Sequence, residues 1–366
     1  MTVSRCFFSL LATFCVLSGC VADDSGNAPV PQIPVNPVVT LNAAIEQAFR
    51  GSILPAVENF LADTEQLQAD SNTFCGTPNE VSLDDMQVSW RAAYEQWFRL
   101  SMYNFGPLDD DIVFPAFTFI DSLRLRGTNY LETVRSEIDA DISGNQELSE
   151  TFFRSKTFQR VGLLAIESAI FETSTPEHSQ DPLEVIAEYQ FQPRKCEVLQ
   201  GLVGQLVERA RYVEQGWLVA HKNSDLSYGT LFLNGELDDD GNEPITQLLI
   251  SGQEFLDYLQ ARQVVLNGGQ ISMHVWGAIS ATIDEVELLL VGDGETANSL
   301  FDVMASTGSQ NAVAAVEDSI VQVRQAIANR DIDMLEISLG FLDGNYKREI
   351  PDSLELDLGI NFSDGD

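Results

Sequence analysis

Between residues 81 and 105 the apolar side chains Val88, Trp90, Tyr94, Trp97, Phe98, Met102 and Phe105 follow a spacing of threes and fours. That spacing lines up one face of an α-helix and neither face of a strand. The same period runs through Ile45, Phe49, Ile53, Val57, Phe60 and Leu61 in residues 41–68, with Gly51 and Pro55 as irregularities. It returns over 151–172, 181–222, 243–267, 271–291, 296–328 and 331–348, with a kink expected at Pro193 and a break over Asn104–Asp111. Gly235, Gly241, Gly268-Gly269, Gly292 and Gly294 punctuate the later segments. No hairpin signal proposes a sheet. The reading is all-α: two antiparallel, four-helix-bundle-like units packed together, residues 40–180 and 181–366, joined somewhere between 175 and 205.

The first residues belong to a different class. One charge, Arg5, precedes the apolar run Phe7 to Val16 and then Leu17-Ser18-Gly19-Cys20. The run is too short to span a bilayer, which needs roughly 20 residues, so residues 1–19 read as a signal peptide. Small residues directly before a cysteine resemble the bacterial lipobox, in which Cys20 is lipidated and becomes the mature N-terminus; an ordinary cleaved signal is the alternative. Residues 20–39, with Pro31, Pro34 and Pro37 at intervals of three, read as a flexible tether. Membrane attachment through Cys20, facing the periplasm, is the expected localisation. Val21 after the cysteine favours the outer membrane.

Charge removes one class of partner. With 56 Asp and Glu against 20 Lys and Arg, the chain carries a net charge of -36, and phosphate backbones would repel it. No nucleic-acid partner is expected. Of the five cysteines, Cys6 and Cys15 leave with the signal and Cys20 takes the lipid. Cys75 and Cys196 remain, and in an oxidising compartment they read as one disulfide, with two buried thiols as the alternative. No CxxC or Cys/His cluster accompanies the three histidines, so a structural zinc site is not expected. His221 near Trp217 and His274 beside Trp276 read as ordinary satisfied histidines. No GxSxG, HExxH, P-loop or GxGxxG context occurs.

Glu167 is the informative side chain. On a helix, Leu163 and Leu164 lie one turn behind it and Ile170 and Phe171 one turn ahead, so its carboxylate is forced onto an apolar face. It must find a cation, donors or a metal, or become protonated. Arg99 and Arg160 are the candidate cations, and a salt-bridged interior Glu with no further role is the bland alternative. Ser101 stands in the aromatic stripe, where it either bonds the carbonyl of residue 97 or lines a small polar cavity. Two acidic stretches are weaker. Asp109, Asp110 and Asp111 read as a solvated turn before a helix rather than a cation site. Asp238 to Glu243 carries calcium-type ligands, but its glycine is misplaced for an EF-hand loop.

Gly162-Leu163-Leu164-Ala165-Ile166-Glu167 resembles the GxHxxE motif of imelysin-like proteins, the M75 peptidase family. Trp90 through Gly106-Pro107 is similar to that family's aromatic helix ending in Phe-Gly-Pro, and Leu358 to Asp366 resembles its C-terminal signature. The resemblance implies paired helical bundles, export to the bacterial envelope and an association with iron or haem acquisition. Two positions depart from the family pattern. Leu164 stands where the motif histidine belongs, and Ser101 where many relatives carry a glutamate. The expected ligand pocket therefore involves Glu167, Leu164, Gly162, Ser101 and Arg99, with Glu167 at most left to hold iron or another divalent metal. No resident cofactor and no catalytic residue are assigned. The expected function is a non-enzymatic envelope lipoprotein that binds a ligand or a partner among iron- and haem-uptake proteins. The alternative is a metal-dependent peptidase of the M75 type.

Overall fold

Helix ends show how local sequence sets the architecture of the computed structural model. It describes residues 39–110, 114–126, 128–174, 176–237, 243–292, 294, 298–356 and 358. The signal peptide, Cys20, the tether up to residue 38, Asp111, Asp238 to Asn242 and the C-terminal stretch 359–366 lie outside the described residues.

Helix α1 (Leu41–Ala48) starts at Thr40, whose hydroxyl accepts from the Ala43 N–H. A widened turn at Phe49–Ile53, around Gly51, leads into α2 (Leu54–Gly76). The helical backbone runs on through this turn, the Leu54 N–H donating to the Phe49 carbonyl, and Pro55, which has no N–H, interrupts the ladder where the turn widens. Helix α3 (Glu80–Leu100) opens on a reciprocal cap: the Ser82 N–H donates to Asn79 and the Asn79 N–H donates to Ser82 Oγ. The aromatic stripe lies on α3 and the turn after it, with one correction. Val88 points outward and is 54% exposed.

Three short helices that the periodicity did not announce follow, α4 (Ala116–Ile120), α5 (Leu123–Arg126) and α6 (Leu131–Ser143). The single helix expected over 151–172 is two, α7 (Glu150–Arg154) and α8 (Leu163–Phe171). Gly162 explains the break. Its φ of 83° suits glycine, and a Cβ there would lie 2.6 Å from the carbonyl oxygens of both Phe119 and Ile120. The start of α8 is thereby pressed against the end of α4. The expected kink at Pro193 is a full break between α9 (Pro182–Phe191) and α10 (Pro193–Leu218).

The chain continues through α11 (Tyr228–Asn234), also unannounced, α12 (Pro244–Ala261), α13 (Val264–Asn267) and α14 (Val275–Val291). A left-handed Gln263, at φ 48°, separates α12 from α13. The helix expected over 296–328 is divided into α15 (Leu300–Ser306) and α16 (Gln310–Asn329) around Gly308, at φ 90°. Helices α17 (Ile332–Lys347) and α18 (Glu349–Ser353) close the fold.

Two groups of helices are packed side by side. Helix α2 lies between α3 and α10, while α12 and α16 both pack on α17, and α14 packs on α3 and α16. Helix α10 thus joins the N-terminal helices, on the other side of the expected boundary at residues 180 and 181. Buried apolar residues of both groups form one continuous core, and the chain from Val39 onward is one compact unit. A disulfide joins Cys75, at the end of α2, to Cys196 in the first turn of α10, with Cα atoms 5.6 Å apart. No described helix is long and apolar enough to cross a membrane.

Candidate functional site

Helix α8 carries the motif and is held by three side-chain hydrogen bonds, two from α3 and one from α9. The Trp90 indole N–H donates to the Leu163 carbonyl at 3.1 Å, Gln87 donates to the Ile170 carbonyl at 2.8 Å, and the Tyr189 hydroxyl donates to the Ala169 carbonyl at 2.9 Å. The α3 stripe therefore does more than fill volume: it fixes the position of α8. Trp90 stacks on Tyr94 with centroids 4.9 Å apart, and edge-on contacts continue from Tyr94 to Phe98 and from Phe98 to Phe255 of α12.

Glu167 is 1% exposed. Its Oε1 accepts from the backbone N–H groups of Ile271, at 3.2 Å, and Ser272, at 2.8 Å, in the loop before α14. The expected arginine partners are elsewhere. Arg160 pairs with Glu137 at 2.9 Å, and Arg99 pairs with Asp284 at 3.1 Å and Glu285 at 3.6 Å. Burial pushes the Glu167 carboxyl up to about 7, while the Ser272 and Ile271 donors pull the other way. Two amide hydrogens replace the missing cation only in part.

Around Glu167 is a cavity of about 30 Å³, lined among others by Tyr94, Asp121, Leu164, Tyr258 and Gly268. It has room for about one or two waters and for no larger ligand. Asp121 is the second buried carboxylate there. Its Oδ2 accepts from the Tyr258 hydroxyl at 2.7 Å and the Trp97 indole at 3.4 Å, its Oδ1 accepts from the Leu123 N–H, and burial raises its pKa. On the other side of Tyr258 a cleft of about 330 Å³ opens, lined among others by Asn104, Asp109, Arg124 and Glu254. Arg124 sits 5.0 Å from the Phe255 ring centroid, 5.4 Å from Phe117 and 5.5 Å from Tyr258.

The five residues read from sequence thus separate. Glu167 and Leu164 share the cavity, and Gly162 sets the start of their helix. Ser101 is joined to this region through Arg124, which donates to its carbonyl at 3.1 Å. The Ser101 Oγ is fully buried with no hydrogen-bond partner among the described residues, so the expected bond to the carbonyl of residue 97 is not made. The backbone N–H of Ser101 takes that carbonyl instead. Arg99 serves a different cluster. There the buried Glu285 accepts from the Tyr103 hydroxyl at 2.5 Å, and burial raises its carboxyl to about 7 against the pull of Tyr103 and Arg99.

Sequence reasoning missed Asp121, Arg124, Tyr258 and Glu172. Glu172, buried just after α8, receives both Arg135 Nε, at 2.8 Å, and Arg135 Nη2, at 2.6 Å, together with the Ser168 hydroxyl. Among these four, Glu172, one turn beyond Ser168, and Tyr258 stand in segments read as helical, 151–172 and 243–267. Asp121, at the end of α4, and Arg124, on α5, belong to short helices that no local period flags, and nothing local ties Tyr258 to a site so far upstream.

The donor set around Glu167 does not fit the divalent ion that the motif implies. Leu164 offers no ligand, Glu167 Oε1 is taken by two amides, and Asp121 Oδ2 is taken by Tyr258 and Trp97. Among the described residues no three His, Cys, Asp or Glu side chains are grouped to hold a metal. What the arrangement can do is titrate. A carboxyl whose folded pKa is raised binds its proton more tightly in the native than in the unfolded chain, so stability is greatest below the unfolded value of 4.5 and is lost as pH rises towards 7. Glu167→Gln keeps an acceptor for the two amides and removes the ionisation. At pH 8 the variant is expected to be more stable than wild type by about 3 kcal/mol, and at pH 4 equal to it. Urea unfolding at pH 4, 6 and 8 checks this, and a pH-independent difference would contradict it.

A family model described as Imelysin, Peptidase M75, matches residues 53–329. The crystal structure of an imelysin-like protein from Psychrobacter arcticum 273-4 superposes with a TM-score of 0.63 at 14% identity, covering 88% of this chain and 99% of that one. A second, assigned as an iron-regulated protein A precursor from Parabacteroides distasonis ATCC 8503, gives a TM-score of 0.55 at 14% identity, covering 85% of this chain and 94% of that one. At these identities the similarity is one of fold. Among curated proteins none matches the sequence.

Proposed function

Because the chain belongs to the imelysin family, we propose that it serves in the bacterial envelope as a non-enzymatic binding lipoprotein rather than as a peptidase. The observation that carries this reading is the occupancy of its motif: Leu164 stands at the histidine position and the Glu167 carboxylate is spent on the N–H groups of Ile271 and Ser272. A hydrolytic metal site normally presents three protein ligands and an open position. In this reading Cys20 carries the lipid, residues 20–39 are the tether, and the folded part faces the periplasm from the outer membrane. The ligand surface is the cleft beside Arg124 and Tyr258. A role in iron or haem acquisition, alongside other uptake proteins, is supported by the iron-regulated description of the Parabacteroides protein of similar fold.

Calorimetry with zinc and iron(II) on wild type, Glu167→Gln and Leu164→His tests the non-enzymatic reading. Wild type and Glu167→Gln are expected to show no site-specific heat. Leu164→His, which puts an imidazole three residues before Glu167 on the same helical face, is expected to gain weak binding at most. A tight site in the wild type that Glu167→Gln destroys would return the chain to the peptidase reading. Palmitate labelling of wild type, lost in Cys20→Ala, tests the anchor separately.

A further inference from the structure

Helix α10 carries two glycines on one face, Gly201 and Gly204, and their surroundings differ. A Cβ on Gly201 would lie 2.0 Å from the Phe153 ring, so glycine is what lets α7 rest on α10. At Gly204 only Gln68 Nε2 comes within 4 Å of such a Cβ, at 3.7 Å. No packing demands a glycine there, although glycine weakens a helix interior. Its effect is to leave the backbone bare at the floor of a groove of about 500 Å³ between α2, α7 and α10.

The groove has a built polar wall. Gln205, from the same helix, lines it and is 4% exposed, yet its Oε1 has no hydrogen-bond partner among the described residues. A buried acceptor left in this state is costly unless something donates to it. Gln68 and Gln200 add two more amides to the lining, the second with its Nε2 donating to Asn72 Oδ1 at 2.9 Å, and Leu148 adds an apolar flank. Carboxylates at the edge are already paired: Glu150 and Glu208 with Arg154, and Glu197 with Arg194 at 3.7 Å.

We propose that this groove binds a neutral, hydroxyl-rich ligand of mono- to disaccharide size. Side-chain amides offer donors and acceptors together, which matches hydroxyl groups, and a turn of the Gln205 side chain, whose Oε1 is covered in this geometry, lets the ligand's hydroxyl supply the donor that Oε1 lacks. A cation would have to take Glu150 and Glu208 from Arg154, and an anion would have to take Arg211, which also lines the groove, from Glu65 at 2.7 Å while meeting three carboxylates. The volume lies in the range of small-ligand sites. The groove shares no lining residue with the cavity at Glu167, so the proposal stands apart from the reading of the motif.

Calorimetry on the purified chain with maltose, cellobiose and N,N′-diacetylchitobiose, and with spermidine as the cationic comparison, decides the matter. At least one disaccharide is expected to bind with a Kd below about 10 mM, and spermidine is not. Gln205→Met keeps the shape and removes the acceptor, so it should weaken that binding about tenfold or more. Gly204→Leu fills the floor and should abolish it. Both variants should melt at or above the wild-type temperature, since one loses an unsatisfied acceptor and the other gains helix propensity. The proposal is overturned if no disaccharide binds, if spermidine binds in their place, or if both folded variants bind as wild type does.

Discussion

Reduction of the Cys75–Cys196 bond, or its replacement by Cys75→Ser with Cys196→Ser, is expected to destabilise the protein by about 5 kcal/mol, taking the chain-entropy account of a loop closed over 121 residues. The bond ties the end of α2 to the first turn of α10, and those two helices pack along each other. Once it is cut, the denatured chain regains the freedom of everything between them, which includes α3 and α8. The measurement is urea unfolding of oxidised wild type against the double serine variant. The variant should unfold at a markedly lower urea midpoint with little loss of helicity before the transition. A midpoint within experimental error of wild type would mean that the α2 and α10 interface alone fixes these ends.

How much of this was legible depends on where the determining partner sits. The aromatic stripe on α3 and the apolar face of α8 are local patterns, and both helices form where the period places them. The breaks were harder to see. The 151–172 segment divides because Gly162 must pass within contact of the Phe119 and Ile120 carbonyls, and that neighbour is some forty residues upstream. The division of 243–267 rests on a left-handed Gln263, a residue type that carries no such signal. Likewise α10 was assigned to the C-terminal half because chain order says nothing about which earlier helix it covers.

The candidate site divides in the same way. That Glu167 lies buried among apolar residues follows from its helical neighbours alone. That its partners are two backbone N–H groups could not follow, because backbone donors have no sequence signature and these stand more than a hundred residues later. Arginines were the visible cations, so they were the expected partners. Arg99 instead meets Asp284 and Glu285 on α14, adjacent acidic residues among many in a chain with 56. In so acidic a sequence, an arginine's position does not single out its carboxylate.

Glu172→Leu is expected to cost about 3 to 5 kcal/mol, and the cause is the charge left behind rather than the charge removed. Arg135 forks onto the Glu172 carboxylate through Nε and Nη2, and its Nη1 reaches the exposed Glu132 at 2.6 Å. The bond to Glu172 is the leading reason that the Arg135 guanidinium is held well above its ordinary pKa. Lys195, buried and pushed down by desolvation, also donates to the Glu172 backbone carbonyl and pairs with Glu188. Deleting the carboxylate leaves a partly buried guanidinium facing leucine, with Glu132 as its remaining carboxylate partner. Arg135→Met combined with Glu172→Leu removes both charges and should recover more than half of the loss. The same cycle reaches the motif, because Glu172 and Ser168 anchor the last turn of α8, one turn and a half beyond Glu167. In the single variant that turn is expected to loosen first, so exchange of the α8 amides should rise well beyond that in α12. If the double variant is no more stable than Glu172→Leu alone, the loss comes from packing around residue 172 and not from the stranded arginine.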